Sequence, residues 1–293
     1  MKKNQFIIMI IGLIGFALGI LIYARSNNRY EEEICCIKKN YSMINENDVF
    51  TISLFINRSI HQITDENTTF YLCDKDETIR LNLTLDDIYI KSEEKYQKMY
   101  FYQYVLIFKN LNQNDDVFID EAYLLVNMPS LKYKIAIGSF SSVTINGYIP
   151  FNSLYGVFNT INGCKTLVGI VIGLDRYNYL VDEFIIGSKS YIDTENIIPL
   201  KDDISNDINI TDLIPHYKYF GKNKRKSYFI ASDKLFLPIR YEQLQLNDNP
   251  ALIFKTKDDV LAIDNFNYLN HNLSLNKYQD LINKGKIIWN IRR

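Results

Sequence analysis

Across 293 residues, 33 Lys and Arg stand against 34 Asp and Glu for a net charge of −1, with 47% hydrophobic and 23% charged residues. The charge balance excludes a global electrostatic pull towards nucleic acid or an acidic surface, and the apolar share excludes a chain that stays unfolded. Twenty-two Tyr and 17 Phe favour pleated, half-buried surfaces over helices, so a mainly β protein is expected.

Nothing charged lies from Asn4 to Ala24, and the 19 positions from Phe6 to Ala24 (FIIMIIGLIGFALGILIYA) are apolar, glycine or tyrosine. At a helical rise of 1.5 Å per residue this run spans about 28 Å, close to the roughly 30 Å hydrocarbon core of a bilayer. It lacks the polar face that a helix of a soluble core shows. It also exceeds the apolar core of a cleaved signal peptide, and Ile22-Tyr23-Ala24 makes a poor cleavage site. The sequence therefore predicts a short tail over 1–5 and an uncleaved signal anchor over 6–24, a single transmembrane helix whose partner is the lipid bilayer.

Lys2 and Lys3 precede the run, whereas Arg25, Arg29, Lys38 and Lys39 follow it. That count alone does not favour an inward amino terminus. A short basic tail without acids is nevertheless the signal-anchor pattern, and long domains translocate largely regardless of charge. The large C-terminal region is accordingly expected outside the cytoplasmic (cell) membrane. Gly15-x-x-x-Gly19 has the small-residue spacing by which spanning helices pack, which leaves room for a membrane or cell-surface protein partner.

Residues 25–47 open with polar RSNNRYEEE and are expected to form an exposed stalk, with folding starting near Asp48. β-rich runs follow at Val49 to Ile56, Thr69 to Cys73, Thr78 to Leu85, Met99 to Phe108, Val117 to Val126, Tyr133 to Ile137 and Ser142 to Ile149. Turn residues separate them, among them Asp74-Lys75-Asp76, Met128-Pro129-Ser130 and Asn146-Gly147. Seven short strands predict a sandwich-like domain over 48–150. In MYFYQYVLIF both faces are apolar, which marks a central strand.

A second β-rich domain is expected over 151–293, after Pro150, Gly156 and Asn162-Gly163 punctuate the chain. Its strands are Thr166 to Leu174, Tyr177 to Ile186, Ser227 to Leu237, Ala251 to Lys255 and Val260 to Ile263. TLVGIVIGL reads as a buried strand, too short to span a membrane. Asp175-Arg176 and Lys257-Asp258 read as hairpin turns. Ser274 and Gly285 frame LNKYQDLINK as one short C-terminal helix, followed by a last strand from Lys286 to Ile291.

The search for chemistry assigns no catalytic residue, no cofactor-binding residue and no metal ligand. His61, His216 and His271 stand in separate polar contexts. Ser92 with Lys95 and Ser274 with Lys277 match a Ser-x-x-Lys spacing, in which a desolvated lysine activates the hydroxyl, but their surroundings do not. Asn112, Asn114 and Asp116 begin like a calcium loop, yet Val117 and Tyr123 stand where the turning glycine and bidentate glutamate belong. Asp74-Lys75-Asp76-Glu77 and Asp203 to Asp207 fail at the same positions. Cys35, Cys36, Cys73 and Cys164 lack a C-x-x-C spacing and read as buried thiols. KNKRK at 222–226 reads as a hairpin tip. Five N-x-Ser/Thr sequons begin at Asn57, Asn67, Asn82, Asn209 and Asn272.

The pattern favours a membrane-anchored protein that displays an extracytoplasmic binding or assembly module and has no nucleic-acid role. Two alternatives are an accessory subunit of a membrane complex and an anchored extracytoplasmic hydrolase.

Overall fold

The computed structural model of the chain describes residues 33–44, 49–57, 63, 65–109, 116–129, 131–201, 209–222, 226–244, 246–248, 252–263 and 273–289. The chain divides into Met1–Glu33 and Ile34–Arg293, and the second unit is described below. The expected anchor over 6–24, with Gly15 and Gly19, lies outside the described residues. Among the described residues, no helix is long and apolar enough to cross a membrane.

The unit is mainly β. Its strands begin with β1 Ile34–Ile37, β2 Lys39–Ile44, β3 Phe50–Ile56, β4 Thr69–Cys73, β5 Arg80–Tyr96, β6 Met99–Lys109, β7 Val117–Asn127 and β8 Leu131–Val143. They continue with β9 Gly147–Tyr148, β10 Phe151–Ile161, β11 Cys164–Leu174, β12 Tyr179–Val181, β13 Glu183–Ile185, β14 Ser190–Ile192, β15 Ile198–Pro199, β16 Tyr228–Ile230 and β17 Lys234–Tyr241. The last are β18 Leu246–Asp248, β19 Leu252–Lys255, β20 Val260–Ile263, β21 Ile282–Lys284 and β22 Lys286–Trp289.

The largest sheet runs β18-β2-β8-β7-β4-β5-β6-β3-β1-β21, with β22 added on β8. Two bent segments close it. β1 lies between β3 and β21, and past Lys38 the chain continues as β2, parallel to the Gly138–Val143 half of β8. From the other end, β21 pairs with β1 and, past Gly285, β22 pairs with the Leu131–Lys134 half of β8. The ladder thus returns on itself around a core that includes Ile34, Cys36, Leu54, Leu106, Leu124 and Ile135. At the second bend the Gly285 N–H donates to the Ile34 carbonyl at 2.8 Å, and a Cβ there would stand 3.2 Å from that of Ile135. Glycine lets the backbones cross this closely.

Residues 34–44 are therefore not a stalk. Ile34 and Cys36 enter the enclosed core, while Cys35 and Ile37 enter a second core on the opposite face. A strand buried on both faces carries a continuous apolar run, and ICCI is that run. The polar RSNNRYEEE before it masked the change of character. Asn40, also buried, donates from Nδ2 to the Ile186 carbonyl at 3.4 Å and accepts from Ser139 Oγ at 3.0 Å.

The second core lies between β1, β3 and β6 on one side and β10, β11 and β17 on the other, where Phe55 and Phe101 meet Val157, Val168 and Phe236. A third core gathers Ile170, Leu237, Phe184, Phe254 and neighbours from the later strands. TLVGIVIGL is indeed a buried strand, β11. Pairing joins strands from both sides of residue 150: β18 with β2, β21 with β1 and β22 with β8.

The expected C-terminal helix does not form. Residues 275–277 make a turn, Gln279–Leu281 a single 3-10 turn, and the chain then enters β21. Leu275, Tyr278 and Leu281 are buried, and Ile282 is half-buried. The segment gains more from adding a strand to β1 than from completing a helix, because short helices are marginal without packing.

Candidate interaction surface

β5 is the longest strand, and its second half sets it apart. Its first four residues, Arg80 to Leu83, pair with β4. From Thr84 to Tyr96 it pairs with β6, and among the described residues no strand pairs with its outer edge. From sequence the strand is expected to end at Leu85, because KSEEKYQK farther on is largely polar. The strand persists because β6 is a strongly apolar template and because Gln97 and Lys98, with φ of 48° and 70°, form the tight left-handed turn that suits a two-residue hairpin.

The ribbon is held at both ends. Near its tip, Tyr96 is buried and packs edge-on against Phe101 with ring centroids 6.0 Å apart. The C-terminal segment braces the same place: the Leu275 N–H donates to Glu94 Oε1, and Asn276 Nδ2 donates to the Lys95 carbonyl at 2.9 Å. Inward from the tip, Ser92 Oγ donates to Gln103 Oε1 at 2.8 Å, and the buried Gln103 donates onward to Ser53 Oγ at 3.2 Å. Near its base, Lys109 and Asp86 form an ion pair of 2.6 Å.

Between these braces Tyr89 and Ile90 stand exposed beside Asp87, Lys91 and Glu93, and Tyr100 is exposed at the tip, opposite Lys95. Tyr89 is 47% exposed, Ile90 54% and Tyr100 55%. Tyr89 pairs with Val105 and Ile90 with Tyr104, so their side chains project from opposite faces of the ribbon. Register shifts between Leu85 and Asp87 and between Ile90 and Ser92 bracket this stretch. Bulges and charges are the means by which natural edges resist indiscriminate pairing. Here they leave Asp87 to Ile90 as the regular, accessible part of the edge.

A groove of about 460 Å³ opens beside the base of the ribbon, with Thr69, Phe70, Tyr71, Asn82, Leu83 and Thr84 among its lining residues. It lies where β5 passes from its pairing with β4 to its pairing with β6.

The motifs weighed from sequence do not converge. Ser92 and Lys95 lie on opposite faces, since Ser92 pairs with Gln103 and Lys95 with Tyr100. Ser274 Oγ accepts from the Lys277 backbone N–H at 3.4 Å, and Lys277 Nζ lies 5.2 Å from the Tyr278 ring centroid. Asp74 accepts from the Thr78 hydroxyl and from the Ile79 N–H at 3.1 Å, and the hydroxyl above all lowers its pKa. Glu77 is held by Lys134 at 2.9 Å, which lowers its pKa likewise. Asp116 accepts from the Thr144 N–H at 3.0 Å. His216 is exposed on a turn. His61, His271, Asn112, Asn114, Asp203 to Asp207 and residues 223–225 lie outside the described residues. Among the described residues no group of His, Cys, Asp and Glu is arranged to hold a metal ion, and all four cysteines are buried, none in a disulfide.

No family model matches the chain, and no curated protein matches it either. Its sites rest on their own geometry.

One charged cluster was not foreseen. Arg240 on β17 pairs with the buried Asp193 at 2.8 Å, and Asp193 also accepts from Asn196 Nδ2 at 2.8 Å. The Arg240 guanidinium lies 5.5 Å from the Tyr217 ring centroid. Burial pushes the Tyr217 hydroxyl well above the usual tyrosine range. The Arg240–Asp193 pair ties the chain after β14 to β17, and the Tyr217 ring brings the 209–222 segment against the same guanidinium, which is a structural task.

Proposed function

We propose that this chain is a single-pass, membrane-anchored protein that displays its β region outside the cytoplasmic membrane, and that the β5–β6 ribbon binds an extended segment of a protein partner. The observation that carries the binding role is the one-sided stretch of β5. Its outer backbone groups match another extended backbone, as in strand addition, and the exposed Tyr89 and Ile90 offer apolar contacts on alternate faces. The uncharged run from Phe6 to Ala24 supports anchoring. We read the packing of β10, β11 and β17 across β1, β3 and β6 as sandwich-like, a rigid base for a recognition edge.

Two measurements test this. Protease added to intact cells should digest a C-terminally tagged chain; a tag protected until lysis overturns the orientation. A photoreactive side chain at position 89 should give one discrete protein adduct in cells, lost in Ile90→Asp. Adducts that persist in that variant would show that capture does not depend on the Ile90 contact, and absence of any discrete adduct at position 89 would remove the ribbon from the interface.

A further inference from the structure

Four of the five sequons begin at described residues, and the structure separates them. Asn57 is half-buried, with Nδ2 directed at Met99 Sδ at 3.7 Å. Asn67 stands exposed in a turn, where its N–H and Nδ2 reach Asp65 Oδ1 at 2.8 and 3.0 Å, and its partner Thr69 is exposed. Asn82 and Thr84 are both exposed on β5, flanking the buried Leu83. Asn209 and Thr211 are exposed as well, the Asn209 side-chain carbonyl accepting from the Thr211 N–H at 3.1 Å.

The first two exposed sequons are neighbours. Phe70 of β4 pairs with Leu83 of β5, so Thr69 and Thr84 flank one pair at the same end of the ladder. Thr69, Asn82 and Thr84 all line the groove beside the ribbon. Carbohydrate on Asn67 and Asn82 would therefore stand at the mouth of that groove, above Phe70 and Leu83. Asn82 precedes Tyr89 by seven residues, about 23 Å of extended strand, so such a glycan leaves the exposed part of the edge open.

We propose that Asn67, Asn82 and Asn209 are N-glycan acceptors, and that the glycans on Asn67 and Asn82 together cover the β4–β5 groove. The reaction is transfer from a polyprenyl-diphosphate-linked oligosaccharide. The Asn Nδ2 forms a bond to the sugar C1, the C1–oxygen bond to the diphosphate breaks, and the amide gives up one proton. The inference rests on the display reading, because only a chain facing the lumen during synthesis meets the donor.

The test is translation of the full chain with rough microsomes, in an Asn272→Gln background. Mobility is read before and after endoglycosidase, alongside protection from added protease. A protected chain with three glycans is expected, with Asn67→Gln, Asn82→Gln and Asn209→Gln each removing one and Asn57→Gln removing none. Thr84→Ser should keep the Asn82 glycan and Thr84→Ala should lose it, which separates the sequon from an effect of Asn82 on folding. Protection without glycans at Asn67 and Asn82 overturns this inference and leaves the display reading standing. Digestion by added protease overturns both.

Discussion

Gly138 has φ of +126°, and a Cβ built on it would collide with the Lys39 backbone where β2 meets β8. Neither strain nor collision can be relieved by a rotamer, so Gly138→Ala should cost about 3 kcal/mol or more, read as a lowered urea midpoint. A second residue-scale effect concerns pH. Burial pushes the Cys36 thiol from 9.0 up to about 12, and burial likewise raises Tyr179 from 10.0 to about 12. Well below pH 9 these groups are protonated whether the chain is folded or not, and they cost nothing. As pH rises from about 9 towards 12, the unfolded chain releases protons that the folded chain retains, so stability falls. The thermal midpoint should drop across that window, and Cys36→Ala should make its onset near pH 9 less steep, because an unfolded thiol ionises about one pH unit below an unfolded tyrosine. An unchanged slope in that variant would exclude Cys36 as the source.

Hairpin turns show which local signals carry through to an element. Asn162-Gly163 joins β10 and β11 with φ of 49° and 78°, the conformation these two residues adopt most readily. Lys257-Asp258 joins β19 and β20 as expected, whereas Asp175-Arg176 does not join a hairpin, since β11 pairs with β10 and β17. Gln97-Lys98 takes the same left-handed conformation as Asn162-Gly163 with less suitable residues. Gln97→Asn with Lys98→Gly should therefore stabilise the β5–β6 hairpin by about 0.5–1 kcal/mol, raising the thermal midpoint by a few degrees. A lowered midpoint would mean that the Lys98 side chain matters more than its backbone. The candidate site was only partly legible for the same reason. Tyr100, Tyr102 and Tyr104 announced a strand, but nothing in KSEEKYQK announced its partner, because that strand owes its existence to β6.

At the scale of the whole molecule, both ends of the Ile34–Arg293 unit close the sheet on β8. A chain starting at residue 34 keeps every described strand and should fold in one cooperative transition. A chain starting at residue 48 loses β1 and β2, exposing the flanks of β3 and β8 and opening two cores. It should aggregate or unfold at markedly lower urea; equal stability of the two chains would show that the closure is dispensable. Sequence alone determined the mainly β character, the apolar run over 6–24, the buried strand TLVGIVIGL and the central place of MYFYQYVLIF, because composition and side-chain alternation are local properties. Tertiary structure decided that ICCI is a doubly buried strand, that the framed helix near the end becomes a 3-10 turn and a strand, and that β5 from Thr84 onward pairs on one side only among the described residues. In each case the deciding partner lies far away in the chain, and pairing with it outweighs the local preference.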